Sequence, residues 1–174
     1  FSLYLQSTAP DRLEVMEAAG RQASAHPVSW EAFLAVVGNC SAPDSVALIR
    51  RAAGLPWFRV NQVNDHRALY GSFAANRKIS LQTEEGRQLF REILLELAPV
   101  NQNSVVSLLR AFGAIDLMEE EYHLPLIGLL VTVRDQLDPD TSAVIHHTIR
   151  RLLIGAPRAV HAWESVNGPL AGIS

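Results

Sequence analysis

The sequence has one cysteine, Cys40, among 174 residues. A lone cysteine forms no internal disulfide, so nothing in the chain calls for an oxidising compartment. No neighbouring residue marks it as a catalytic thiol, and it reads as a buried structural residue. The most apolar stretch, Leu124 to Val133, is too short to span a bilayer. No basic n-region leads into an apolar h-region at the start. The formal net charge is −3, which gives no electrostatic reason to expect nucleic acid. These absences make cytoplasm the default compartment, with no membrane and no nucleic-acid partner. The chain opens on Phe1 without methionine, so it reads as a piece of something longer or a processed product.

Catalytic signatures are also lacking. There is no Gly-x-Ser-x-Gly elbow, phosphate loop or dinucleotide fingerprint. Zinc peptidases need two histidines one helical turn apart with a glutamate between them. None of His26, His66, His123, His146, His147 and His161 makes an i, i+4 pair. His146 and His147 are adjacent and diverge by about 100° on a helix, so they cannot grip one ion together. One of them is expected half-buried and the other solvated. Glu119-Glu120-Glu121 reads as negative charge near a helix start rather than as paired carboxylates. Arg50-Arg51 and Arg150-Arg151 read as solvated helix faces, and Met16 and Met118 as core residues. No catalytic residue and no metal ligand is assigned.

What is present is helical periodicity. Apolar residues make up 48% of the chain, within the globular range. That length and composition fit one domain over residues 1–174. A first helix runs from Asp11 to about Ala25. Ser29 caps a second, bearing Trp30, Phe33, Leu34 and Val37. Ser41 and Pro43 open a third, stopped by Gly54 and Pro56. Leu55 to Asn64 is a loop, and Asp65 to Asn76 a fourth helix. Arg77 to Gln82 reads as extended. Thr83 caps a fifth helix that ends at Pro99, and Asn103 caps a sixth that ends at Gly113. A long segment from Glu119 to Leu137 begins or kinks at Pro125. Asp140 or Thr141 caps an eighth helix, closed by Gly155 and Pro157. A last short one lies at Val160 to Glu164.

About eight or nine helices with short connections define an all-α class. No strict repeat is visible. The helix-pair spacing of roughly 35 to 45 residues suits an armadillo- or HEAT-like α-solenoid of antiparallel helix pairs, with a compact bundle as the alternative.

One segment stands apart. Asn64 to Asn76 packs small and polar residues at a helix start, with Gly71 inside the helix. Glycine there costs roughly 1 kcal/mol against alanine, so another backbone or a ligand is expected close by. The pattern Arg-x-Leu-x-Gly-x-Phe-Ala, Arg67 to Ala74, resembles the C-terminal helical domain of bacterial zinc aminopeptidases of the aminopeptidase N type. The tryptophan-bearing helix, the aromatic loop at Trp57-Phe58, the long helix Gly86 to Leu97, the helix Asn101 to Phe112 and the helix Asp140 to Leu153 follow in the family's order. Most of residues 28 to 155 are covered. The family's Asn-Pro after Phe-Ala is Asn76-Arg77 here. Its proline after the helix-opening asparagine is Gln102, and an arginine expected on that helix falls near Ser107.

The resemblance implies a helical superhelix closing over a thermolysin-like catalytic domain of the same parent protein. That enclosed chamber admits short peptides. Arg67 would lie on its concave side and partly exposed, with Asn64 and Tyr70 as further substrate-channel candidates. Zinc is implied for the parent enzyme, none for this chain, which should be inactive alone. The other reading is a stand-alone helical-repeat module that binds a peptide or a protein without enzymatic activity.

Overall fold

A computed structural model describes residues 1–173. Among them every regular element is helical, in the order α1 (Ser2–Leu5), α2 (Arg12–Ala23), α3 (Pro27–Gly38), α4 (Ser45–Ala53), α5 (Val63–His66), a π turn (Arg67–Gly71), α6 (Ser72–Ala75), α7 (Arg77–Ser80), α8 (Glu84–Leu97), α9 (Gln102–Leu109), α10 (His123–Gln136), α11 (Ala143–Ile154) and α12 (Pro157–Asn167). Single 3-10 turns lie at Arg110–Phe112, Ile115–Leu117 and Glu120–Tyr122. The all-α expectation holds. Eight segments exceed two turns, and α1, α5, α6 and α7 are single turns.

The chain folds as two compact units, Phe1 to Gly86 and Arg87 onward. In the first, α3 is the central helix and packs on α2, α4 and the π turn. Its Trp30, Phe33, Leu34 and Val37 are buried with Leu5, Met16, Leu48, Ile49 and Phe73. Cys40 is buried too, its thiol 3.5 Å from the Leu5 carbonyl oxygen, a structural cysteine. In the second unit α9 packs on α11 and α10 on α12. Helices two apart thus share a layer, the arrangement of stacked helix pairs. Phe90 and Phe112 meet edge to face at 5.0 Å inside its core.

Several helix starts differ from the sequence reading, and each difference has a local cause. The second long helix begins at Pro27, two residues before Ser29, because proline at the first position loses no needed N–H. The third begins at Ser45 after Asp44, later than Pro43. Asn101, not Asn103, opens α9: its side chain accepts the Ser104 N–H at 3.0 Å. Asp140 and Thr141 do not cap α11: the Asp138 carboxylate accepts both their N–H groups, at 3.0 and 2.9 Å, and the Thr141 hydroxyl, which holds them in the preceding turn, and Ser142 takes the N-cap position. Thr83 does cap α8, accepting the Gly86 N–H at 3.0 Å. Pro125 sits in the first turn of α10, which begins at His123. The last helix is longer than expected, Pro157–Asn167. Its first turn is capped from a distance, since the Asp116 carboxylate accepts the Arg158 and Ala159 N–H groups at 3.0 and 2.8 Å. Met118 is half-exposed rather than core. His146 is half-buried and His147 exposed, as the spacing suggests.

The largest local correction is Arg77 to Ser80, a helical turn instead of an extended segment. Asn76 is its N-cap and Arg77 its first residue. The Asn76 amide donates to the Cys40 carbonyl and the Ser41 hydroxyl, both at 3.1 Å, and so ties this turn to the loop after α3. Arg77 and Gln102 stand where the resembling family has proline. Both are first-turn positions behind an asparagine cap. Proline there contributes only a preset φ, so its loss leaves the helix starts intact.

Candidate functional site

The singled-out segment, Asn64 to Asn76, folds as α5, the π turn and α6 without interruption. Two buried polar side chains at its start clamp the preceding loop. The Asp65 carboxylate accepts the Arg59 N–H at 2.9 Å, and the His66 Nδ1 lies 2.7 Å from the Val60 carbonyl oxygen. A carbonyl only accepts, so Nδ1 carries the proton in that bond. The same loop is gripped through its aromatics. Trp57 packs edge-on to Trp30 at 6.5 Å, and Phe58 packs on Tyr70 at 5.5 Å. The sequence reading assigned no role to Asp65 or His66. A histidine and an acid in the first turn of a helix are the available signal.

The three candidates divide. Asn64 and Arg67 are exposed and joined: an Arg67 guanidinium nitrogen donates to the Asn64 side-chain oxygen at 3.3 Å. The Asn64 amide in turn donates to the Glu31 carboxylate of α3 at 2.9 Å. Tyr70 is buried instead, only 3% exposed and packed on Phe58. It therefore positions the aromatic loop. Arg67 presents its remaining N–H donors to solvent beside a neutral amide. Such a planar donor fork is suited to a carboxylate.

The close backbone approach is real, but the glycine that permits it is Gly38, not Gly71. A Cβ on Gly38 would lie 2.3 Å from the Leu69 carbonyl oxygen and 2.8 Å from the Ser72 Cβ. A Cβ on Gly71 would meet only the Arg67 Cγ, at 3.8 Å. Ser72 and the Leu69 carbonyl therefore pack tightly on α3, and Gly71 leaves open space beside the Arg67 stem.

Nothing here combines a nucleophile with a base. Among the described residues no three His, Cys, Asp or Glu side chains are placed to hold a metal ion. Among the same residues no helix is long and apolar enough to cross a membrane.

Fold and site together define an all-helical protein built from stacked helix pairs, with an exposed polar pair, Asn64 and Arg67, on the singled-out segment. A family model described as "Domain of unknown function (DUF3458_C) ARM repeats" matches residues 1–149. The chain belongs to that family, the C-terminal domain of aminopeptidase N-type enzymes. A similar solved structure is Legionella pneumophila aminopeptidase A in complex with aspartic acid. It has a TM-score of 0.71 at 15% identity, over 85% of this chain and 18% of that one. The chain thus spans about a fifth of that enzyme's length, and the likeness establishes the fold. No curated protein matches the sequence.

Proposed function

We propose that this chain is the C-terminal helical lid domain of a zinc aminopeptidase, enclosing the active-site chamber and restricting which peptides enter. Its partner is the catalytic domain of the same parent protein, its ligands are peptide substrates, and its compartment is the cytoplasm. The family match over residues 1–149 carries this reading. The exposed Asn64–Arg67 pair supports it, because it offers a carboxylate-binding fork on a rigid helix. Zinc belongs to the catalytic domain in this reading. The described residues offer it no three-ligand site, and no chemical step runs through this chain.

The decisive experiment uses the parent enzyme with Arg67→Gln. A lost charge-assisted hydrogen bond is worth about 1.5–3 kcal/mol, which is roughly 10- to 100-fold in affinity. KM should rise by that order for peptides with a free C-terminal carboxylate. It should stay unchanged for aminoacyl-arylamides, which have none. Equal effects on both substrate classes would remove Arg67 from the chamber. The isolated chain should hydrolyse neither class, with or without zinc, and zinc-dependent turnover by it would overturn the assignment. Reading the gene upstream of Phe1 should show a His-Glu-x-x-His motif. A stop codon there would favour a stand-alone binding module.

A further inference from the structure

The second unit carries a surface groove that the lid reading does not use. It lies between α9 and α11, has a volume of about 410 Å³, and is lined by Val106, Leu109, Arg110, Thr148, Arg151 and Leu152. Leu109 is fully buried, and Val106 and Leu152 are half-buried, so the floor is aliphatic. Arg110 and Arg151 are exposed, one on each helix.

Several arginines elsewhere in the chain are held by acids. Arg12 pairs with Asp44, Arg51 with Glu17, Arg134 with Asp135 and Arg158 with Glu120. Arg110 and Arg151 have no acidic partner among the described residues, and the groove lining contains no acidic residue. Both sit at the C-terminal ends of their helices, where a cation complements the helix dipole. That role engages their charge and leaves their hydrogen-bond forks unused. The Thr148 hydroxyl donates to the Val144 carbonyl at 2.8 Å, so its oxygen faces the groove only as an acceptor.

We propose that this groove docks an acidic segment of a protein partner, with aliphatic side chains on the floor and glutamate or aspartate carboxylates on Arg110 and Arg151. An internal segment fits better than a chain terminus. Capture of a terminal carboxylate commonly uses a nest of backbone N–H groups. Helix C-terminal ends offer carbonyls instead. The chain's net charge of −3 gives no general attraction for acidic peptides, so such binding must be local. The proposal stands whether or not the lid reading does.

The test is an amide NMR titration of the full chain with three peptides: acetyl-Gly-Leu-Glu-Glu-Leu-Gly-amide, its Gln-Gln counterpart, and acetyl-Gly-Leu-Gln-Gln-Leu with a free C-terminus. The acidic peptide should shift amides of residues 105–112 and 144–153. The Gln-Gln amide should bind at least tenfold more weakly. R110Q and R151Q should each weaken the acidic peptide about tenfold, with far-UV circular dichroism unchanged. If either fails to fold, R110K and R151K should fold and bind with intermediate affinity. Equal binding of the Gln-Gln amide would overturn the proposal. So would preference for the free C-terminus, shifts centred elsewhere, or no shift at millimolar peptide.

Discussion

Replacing Gly38 with alanine should destabilise the first unit, although alanine is the better helix former. At a helical position free of contacts, glycine-to-alanine gains about 1 kcal/mol. At Gly38 the added Cβ would stand 2.3 Å from the Leu69 carbonyl oxygen and 3.2 Å from the Phe73 nitrogen. Both obstacles are backbone, so no rotamer change relieves them. Ordinary contact begins near 3.4 Å, and α3 must therefore move about 1 Å away from the π turn. Overpacking of this kind costs about 1–3 kcal/mol, and a rigid obstacle belongs at the upper end. The net expectation is about 2 kcal/mol of destabilisation. With a urea m-value of about 1.5 kcal/mol/M, the midpoint falls by about 1.3 M. Trp30 and Trp57 lie in this unit, so fluorescence in a Trp163→Phe background reports its unfolding. Gly71→Ala is the internal control. Its Cβ would find only ordinary contact, so it should raise stability by up to about 1 kcal/mol and the midpoint by up to about 0.7 M. An unchanged or raised midpoint for Gly38→Ala, or a lowered one for Gly71→Ala, would refute the packing argument.

Two further outcomes follow from polar contacts in the second unit. Asp116→Ala removes the distant cap on α12 and should cost about 1–2 kcal/mol. Hydrogen exchange at Arg158 and Ala159 should accelerate more than elsewhere in that helix, and unchanged protection there would refute the cap. The Asp138 carboxyl is held below the ordinary carboxylate range, first by the Thr141 backbone N–H and then by the Thr141 hydroxyl. A depressed folded pKa stabilises the folded form above about pH 4 and loses that effect as pH falls through the folded value. A carbon-13 titration should place the Asp138 midpoint below that of an unstructured aspartate. Asp138→Asn should remove its share of the acid dependence, and an ordinary midpoint would refute the turn's role.

The legible part of this fold is the part carried by local signals. Apolar spacing marked the long helices, and Gly54, Thr83 and Pro99 acted where they stand. The helix starts at α4, α9 and α11 were misplaced by a few residues because several cap-competent side chains stand in a row. Which one caps depends on where the others' hydrogen bonds go. Asp138, for instance, takes the Asp140 and Thr141 N–H groups. The turn at Arg77–Ser80 has too few residues to show a period. Exposure of Asn64 and Arg67 was readable, but burial of Tyr70 was not, since Phe58 reaches it from a loop twelve positions away. The role of Gly38 was invisible for the same reason. Its obstacle comes from another helix, and nothing near Gly38 in sequence announces it.

The π turn explains how the buried residues of this segment stay on one side. The buried residues of this segment come in pairs: Asp65-His66, Leu69-Tyr70 and Phe73-Ala74. Their repeat is four residues. In a regular α-helix four residues turn about 400°, so each pair would rotate about 40° past the one before. By Phe73-Ala74 the buried stripe would be about 80° off α3. A π turn holds more residues per turn and absorbs that drift. It keeps all three pairs against α3 and the aromatic loop. It also brings the Leu69 carbonyl against Gly38, while Asn64 and Arg67 flank the first buried pair on the solvent side. Burial of Phe73-Ala74 and the Gly38 contact are two consequences of one backbone feature. A change that restores regular α geometry there should disturb both together.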